Sequence, residues 1–186
     1  MKKFFIHTAA AIGALLGFGC SGISTESISA VSPFNINSYL GVWYEQARLP
    51  HSFEEGLINT KATYRWGRNG QIEVINEGID EKTGRKKITK GVAETCKGND
   101  RGELKVSFFR PFYGKYRIIY LDENYKKAIV TSSTNNYLWI LSRERKLLEK
   151  ELNMLVMLAK CTCEHILGWC SLNSTEQCCW NCSGQS

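Results

Sequence analysis

The stretch Tyr39-Leu40-Gly41-Val42-Trp43-Tyr44-Glu45-Gln46-Ala47-Arg48 decides the fold. A glycine, one residue and then a tryptophan, opening an alternating run, describe a strand that begins at a tight backbone position. Glycine permits close backbone approach there, and tryptophan supplies a large apolar plug with a polar N–H. The chain downstream reads as further short strands, so this tryptophan has a barrel or a sandwich to plug.

Outward from that stretch, residues 35–39 predict a short helical turn leading into a first strand over 41–49. A second strand is expected over 60–66, where Ala62, Tyr64 and Trp66 alternate with Thr63 and Arg65. Arg68-Asn69-Gly70 is a hairpin turn, because Asn-Gly tolerates the positive φ angles such turns require. Further strands are predicted over 71–78, 87–96, 103–109, 115–122, 127–133 and 137–142. Eight short strands with turns at regular intervals and no crossover helices argue an all-β, eight-stranded antiparallel up-and-down barrel. Such a closure leaves an interior that holds one small ligand. Only beyond strand eight does the period change. Leu148, Leu152, Leu155, Val156 and Ala159 recur at helical steps, which predicts one C-terminal α-helix packed outside the barrel.

The 186 residues suffice for one domain with a core and are too few for two. Met1-Lys2-Lys3 followed by the apolar run Phe4–Phe18 reads as an export signal, too short for a permanent span. A small residue followed by Cys20 resembles the bacterial lipobox, which implies cleavage after residue 19 and lipidation of Cys20. The leucine that a lipobox favours three places before the cysteine falls one residue earlier here. Ser21 after the cysteine implies outer-membrane sorting by the same resemblance. Residues 20–33 are small and polar and suit a flexible tether. Setting aside Lys2 and Lys3 leaves 22 basic residues against 18 acidic, a net of +4. With no basic stripe and no nucleic-acid motif, nucleic acid is not an expected partner.

Three motifs resemble the lipocalin family, most closely its bacterial outer-membrane lipoprotein (Blc-type) branch. They are Gly41-Val42-Trp43-Tyr44-Glu45, the turn Leu121-Asp122-Glu123-Asn124-Tyr125, and Arg143 at the end of strand eight. The second is a loose version of the family's Thr-Asp-Tyr-x-x-Tyr, keeping Asp122 and the closing Tyr125. Arg48, Leu57, Asn76, the run 105–109 and Pro111-Phe112-Tyr113-Gly114 also look like that branch. The resemblance spans about residues 34–160, the expected barrel and helix, and leaves 161–186 as a separate cysteine-rich tail. It implies that Arg143 stacks over Trp43 and, with Gly41, Asp122 and Tyr125, shuts one end of the barrel. A guanidinium over an indole contributes about 0.5–2 kcal/mol.

A barrel shut at one end is a cup. Strand alternation and matching to lipocalin strands place Ala62, Tyr64, Val74, Asn76, Ala93, Val106, Phe108, Tyr116, Ile118, Val130, Tyr137 and Trp139 inside. This set is mostly aromatic and aliphatic, with no lysine or arginine, and suits an acyl chain. A charged headgroup would find no fixed cation inside and should stay at the mouth. The expected partner is therefore a lipid, a lysophospholipid or fatty acid, bound chain-in and head-out. The expected setting is the bacterial outer membrane, with a lipid anchor and a periplasm-facing barrel; a homodimer is compatible with all of this.

No enzyme, cofactor or metal is expected. His51 and His165 are the sole histidines beyond the signal, no Gly-x-Ser-x-Gly elbow occurs, and Glu54-Glu55 reads as a solvated acidic pair in a loop. The tail departs from the family pattern. Cys161, Cys163, Cys170, Cys178, Cys179 and Cys182 crowd within it, beside His165 and Trp180. Their spacing could hold zinc in a reducing compartment, but behind an export signal disulfides are the expectation. Lipocalins often tie the tail to the barrel wall, and Cys96 is the wall candidate. The alternative function is an envelope interaction protein whose barrel is filled and whose tail does the binding.

Overall fold

The computed structural model describes residues 29–49, 54–96, 100–132, 137–167 and 181–182. The expected export signal, Cys20, the loop with His51, and tail residues Cys170, Cys178 and Cys179 lie outside these. For residues 163–167 the backbone alone is described.

Asn35 caps a single helical turn, α1 (Ile36–Tyr39), its side chain accepting a bond from Asn37 N at 2.9 Å. Eight strands follow: β1 (Gly41–Arg48), β2 (Leu57–Trp66), β3 (Ile72–Asp80), β4 (Lys86–Thr95), β5 (Glu103–Phe109), β6 (Phe112–Leu121), β7 (Lys127–Ser132) and β8 (Leu138–Ser142). Each from β2 to β8 pairs antiparallel with the strand before it. β1 also pairs with β8, so the sheet closes on itself as an eight-stranded antiparallel barrel. Helix α2 (Glu149–Leu167) packs outside, as expected from its apolar stripe. A two-residue strand, β9 (Asn181–Cys182), adds to β1 beside Ala47 and Arg48. It carries no sequence signal of its own, because two residues have no period.

The turn chemistry is that of the sequence. Asn69 and Gly70 take φ of 68° and 70° between β2 and β3, the left-handed values that Asn-Gly supplies cheaply. Two strands start earlier than their apolar alternation indicates: β2 at Leu57 and β6 at Phe112. Ladder bonds continue into hairpin ends that stand clear of the core, as Phe109↔Phe112 does, and exposed residues there have no reason to alternate.

Two cores lie on opposite sides of the wall. The inner one holds Tyr39, Trp43, Tyr64, Ile72, Val74, Ala93, Leu104, Ile118, Ala128, Val130 and Leu141. The outer one joins Ala47, Ile129, Leu138 and Ile140 of the sheet to Leu147, Leu152, Leu155 and Ala159. Leu148, expected in the helical stripe, is 73 % exposed; Leu147 takes its place, because α2 begins only at Glu149 and the turn before it points Leu148 outward.

The two-residue alternation breaks at bulges. Between Glu45 and Ala47, β1 slips by one residue against β8. Glu45 faces Leu141 of the inner core, Ala47 belongs to the outer one, and Arg48 faces Trp139 and so points inward again. On β6 a second bulge gives Ile119 and Tyr120 to the outer side and returns Leu121 to the inner core.

Candidate functional site

The closed end is built on one carbonyl. Tyr39 ends α1, and its carbonyl oxygen accepts from Trp43 Nε1 at 2.8 Å and from Arg143 Nη2 at 3.0 Å. The Arg143 guanidinium lies 3.9 Å from the Trp43 ring centroid and also donates to the carbonyls of Val42, Ser38, Leu40 and Tyr125. Gly41 is required for this approach. Its φ is +102°, and a Cβ there would stand 3.1 Å from Arg143 Nη1. Asp122 organises the β6–β7 turn, accepting from the backbone N–H groups of Asn124, Lys126 and Lys127. Tyr125, at φ 55°, stacks on Phe34, and its hydroxyl accepts from Asn35 N at 2.9 Å. The segment before α1 is thereby held across the base.

Above this seal the lining is graded. Tyr64, Val74, Ala93, Ile118 and Val130 are all 3 % exposed or less and form a packed lower layer with Trp43 and Tyr39. Ala62, Val106, Phe108, Tyr116 and Trp139 pack against that layer and keep accessible surface. Asn76 is opposite Ala62 across the β2–β3 ladder, and its Oδ1 is buried without a partner. Tyr137 stacks nearly parallel on Trp139, with ring centroids 5.9 Å apart. Ten of the twelve residues expected inside thus fall into a dense floor and a more open upper ring.

Sequence alternation missed the charges in this lining. The expectation of no arginine inside does not hold, because the β1 bulge after Glu45 turns Arg48 inward beside Glu45, which alternation from Trp43 already places on that face. Arg48 pairs with Glu45, donates to the carbonyls of Glu54 and Leu57 at 2.9 Å each, and lies 4.0 Å from Glu54 Oε2. Trp139 Nε1 donates to the same Glu54 carboxylate at 3.1 Å. Glu54, expected as a solvated loop acid, is therefore part of the lining. Burial holds the Glu45 carboxyl above its ordinary range, the neighbouring Glu54 adds to this, and Arg48 works against it. The one sequence signal was the stretch Glu45-Gln46-Ala47-Arg48 itself, where strict alternation would have required Gln46 and Arg48 on one side.

Around the mouth, Phe109 and Phe112 face one another across the β5–β6 hairpin end and are 79 % and 77 % exposed. A hollow of about 520 Å³ lies elsewhere: it opens in the wall beyond the last β1–β2 pair, Tyr44↔Lys61. Its charged rim includes Lys61, Lys86, Glu77, Arg145 and Lys146, and Glu77 pairs with both Lys61 and Lys86. A rim of that kind does not suit an acyl chain. Cys96 and Cys161 are free thiols, and the side chains of the other tail cysteines, the expected partners of Cys96, lie outside the described residues. Among the described residues, no group of three or more His, Cys, Asp or Glu side chains is placed to hold a metal ion.

Comparison with known proteins places this geometry in context. The Lipocalin-like domain family matches residues 34–165. The chain is similar to the outer membrane lipoprotein Blc of Vibrio cholerae, 48 % identical over 141 residues that cover 73 % of this chain and 82 % of that one. It is similar to the protein of the same name from Escherichia coli K12, at 43 % over 136 residues, 73 % and 77 % of the two chains. Among solved structures, insecticyanin from the tobacco hornworm Manduca sexta superposes with a TM-score of 0.60 at 20 % identity, over 75 % of this chain and 79 % of that one, a likeness of fold alone.

Proposed function

The chain belongs to the lipocalin family, and on that footing we propose that it binds and carries a lipophilic molecule, a lysophospholipid or fatty acid, in its barrel cup. It is a carrier and catalyses nothing. The observation that carries this reading is the graded lining: a sealed floor around Trp43 beneath an apolar ring, Ala62, Val106, Phe108, Tyr116 and Trp139, that keeps accessible surface. Each methylene moved from water into such a ring contributes about 0.8 kcal/mol, so two methylenes change affinity roughly tenfold.

The headgroup stays at the mouth for a reason other than the one alternation suggested. A cation is present inside, but Arg48 is already neutralised by Glu45 and Glu54, and its donors are taken by fixed carbonyls. An incoming carboxylate or phosphate would have to displace partners that are covalently held nearby. The setting belongs to the same proposal: a lipid anchor at Cys20, attachment to the bacterial outer membrane, and a barrel facing the periplasm. It is supported by the outer membrane lipoproteins that the chain resembles.

The test is a tryptophan-fluorescence titration of the purified protein with lysophospholipids, fatty acids and a water-soluble control. Saturable quenching by the lipids alone, lost in Trp139→Ala, is the expected result. A folded, lipid-free protein whose fluorescence no lipid changes would mean a filled barrel, and would leave the cysteine-rich tail as the binding element.

A further inference from the structure

Three tyrosine hydroxyls from three distant parts of the chain meet at the boundary between the packed floor and the open ring. Tyr39, at the end of α1, and Tyr116, on β6, approach to 2.6 Å between hydroxyl oxygens. Tyr64, on β2, donates to Tyr116 at 3.0 Å. Three hydroxyls carry three protons, and two O···O contacts consume two of them. Among the described residues nothing else bonds to these oxygens, and Asn76 Oδ1, itself without a partner, does not reach them. One proton is therefore left over.

Burial decides where it sits. Tyr39 is fully buried and Tyr64 is 3 % exposed, whereas Tyr116 keeps accessible surface in the upper ring. Leaving a donor unsatisfied costs about 1–3 kcal/mol where neither water nor ligand can reach it. The favoured arrangement has Tyr39 and Tyr64 both donating to Tyr116, which then turns its own proton to the lumen. A phenol oxygen can accept two bonds and donate one, so this uses its full capacity. Burial also pushes all three phenols up, Tyr64 to about 12, so the cluster stays protonated and Tyr116 meets a ligand as a neutral donor.

We propose that Tyr116 is a hydrogen-bond donor at the base of the open ring, and that the ligand it selects is an apolar chain carrying an uncharged oxygen, a hydroxyl or a ketone, at the end that enters first. This rests on the carrier reading above and narrows its ligand class. A charged oxygen is disfavoured there. The Arg143 guanidinium is stacked on Trp43 with its donors spent on carbonyls, and a carboxylate at that depth would lose its hydration for one hydroxyl bond.

The experiment compares a series of fatty acids of increasing length with their ω-hydroxy counterparts, measured by displacement of a fluorescent fatty acid from the purified protein. At the chain length that reaches Tyr116, the ω-hydroxy acid should bind about tenfold tighter than its parent, the worth of one well-placed hydrogen bond in a dry site. Shorter and longer members should lose affinity from burying an unpaired hydroxyl. Tyr116→Phe should abolish the gain of the ω-hydroxy acid over its parent; because the substitution also leaves the Tyr39 and Tyr64 hydroxyls without their acceptor, a cooperative thermal melt of the variant reports separately that it is folded. Without any variant, the wild-type tyrosine difference spectrum should change on binding the ω-hydroxy acid and not its parent. A hydroxyl penalty at every chain length, or a gain that survives in Tyr116→Phe, overturns the proposal and leaves the carrier reading standing. Failure of every parent acid to bind overturns both.

Discussion

Arg143 and Trp43 stack with the guanidinium carbon 3.9 Å from the indole centroid, and both donate to the carbonyl of Tyr39. A single oxygen thus joins the first strand, the end of the last strand and the helical turn that caps the base. Arg143→Lys keeps the charge but cannot serve five carbonyls from one ammonium. It should lower stability by about 3 kcal/mol, the sum of a weakened cation–π contact and stranded acceptors. Urea unfolding should show a lower midpoint with an unchanged slope.

Gly41→Ala should cost about 1–3 kcal/mol, because it combines a left-handed backbone with a Cβ 3.1 Å from Arg143 Nη1. The double variant with Arg143→Ala separates the two causes in the same unfolding assay. If the strain is purely in the backbone the costs add; if the close approach matters they do not.

Trp43 and Trp139 face the same lumen at opposite depths, and truncating them should affect different properties. Trp43→Ala removes a fully buried side chain and should destabilise the barrel by about 3–5 kcal/mol. Trp139→Ala, in the open ring, should weaken lipid binding while the barrel still melts cooperatively. Equal effects on melting temperature with no change in binding would count against the cup as the site.

The buried ion cluster gives a pH signature. Burial raises the folded-state pKa of Glu45 above its ordinary 4.5, so over the window just above 4.5 the folded chain holds more protons than the unfolded one. Stability from this group is therefore present at low pH and falls as pH rises through the window. Glu45→Gln should flatten that slope in denaturation curves taken across it. Arg48→Met alone leaves Glu45 and Glu54 facing each other and should cost about 3–5 kcal/mol.

At the alkaline end, Tyr39, Tyr64 and Tyr116 should remain protonated where an ordinary phenol, at about 10, ionises. The unfolded chain then releases protons that the folded one keeps, so stability falls as pH rises above 10. Tyrosinate absorbance from these three should appear together with loss of near-ultraviolet circular dichroism, not before it.

Alternation was a reliable guide wherever the strand kept its period. Tyr64, Val74, Ala93, Ile118 and Val130 face inward as two-residue spacing requires, because in an unbroken ladder each side chain has one choice of face. It failed at Gln46. A bulge adds a residue on one strand only, and nothing in the local pattern of Glu45-Gln46-Ala47-Arg48 says whether a polar residue faces water or a buried partner. Glu54 was misread for a related reason: its partners, Arg48 and the Trp139 indole, come from the two strands of the ladder Arg48↔Trp139.

What the sequence by itself determined was everything carried by local rules: the strand count up to the helix, the Asn-Gly turn, the glycine before Trp43 and the apolar stripe of the outer helix. Those follow from φ preferences and side-chain periods that act over a few residues. Only the tertiary structure decided which polar groups share the interior. Tyr39, Tyr64 and Tyr116 are up to 77 residues apart and meet because barrel closure brings a helical turn, β2 and β6 to one level. Pairing of buried polar atoms is set by closure and by bulges, long-range geometry that no local period encodes.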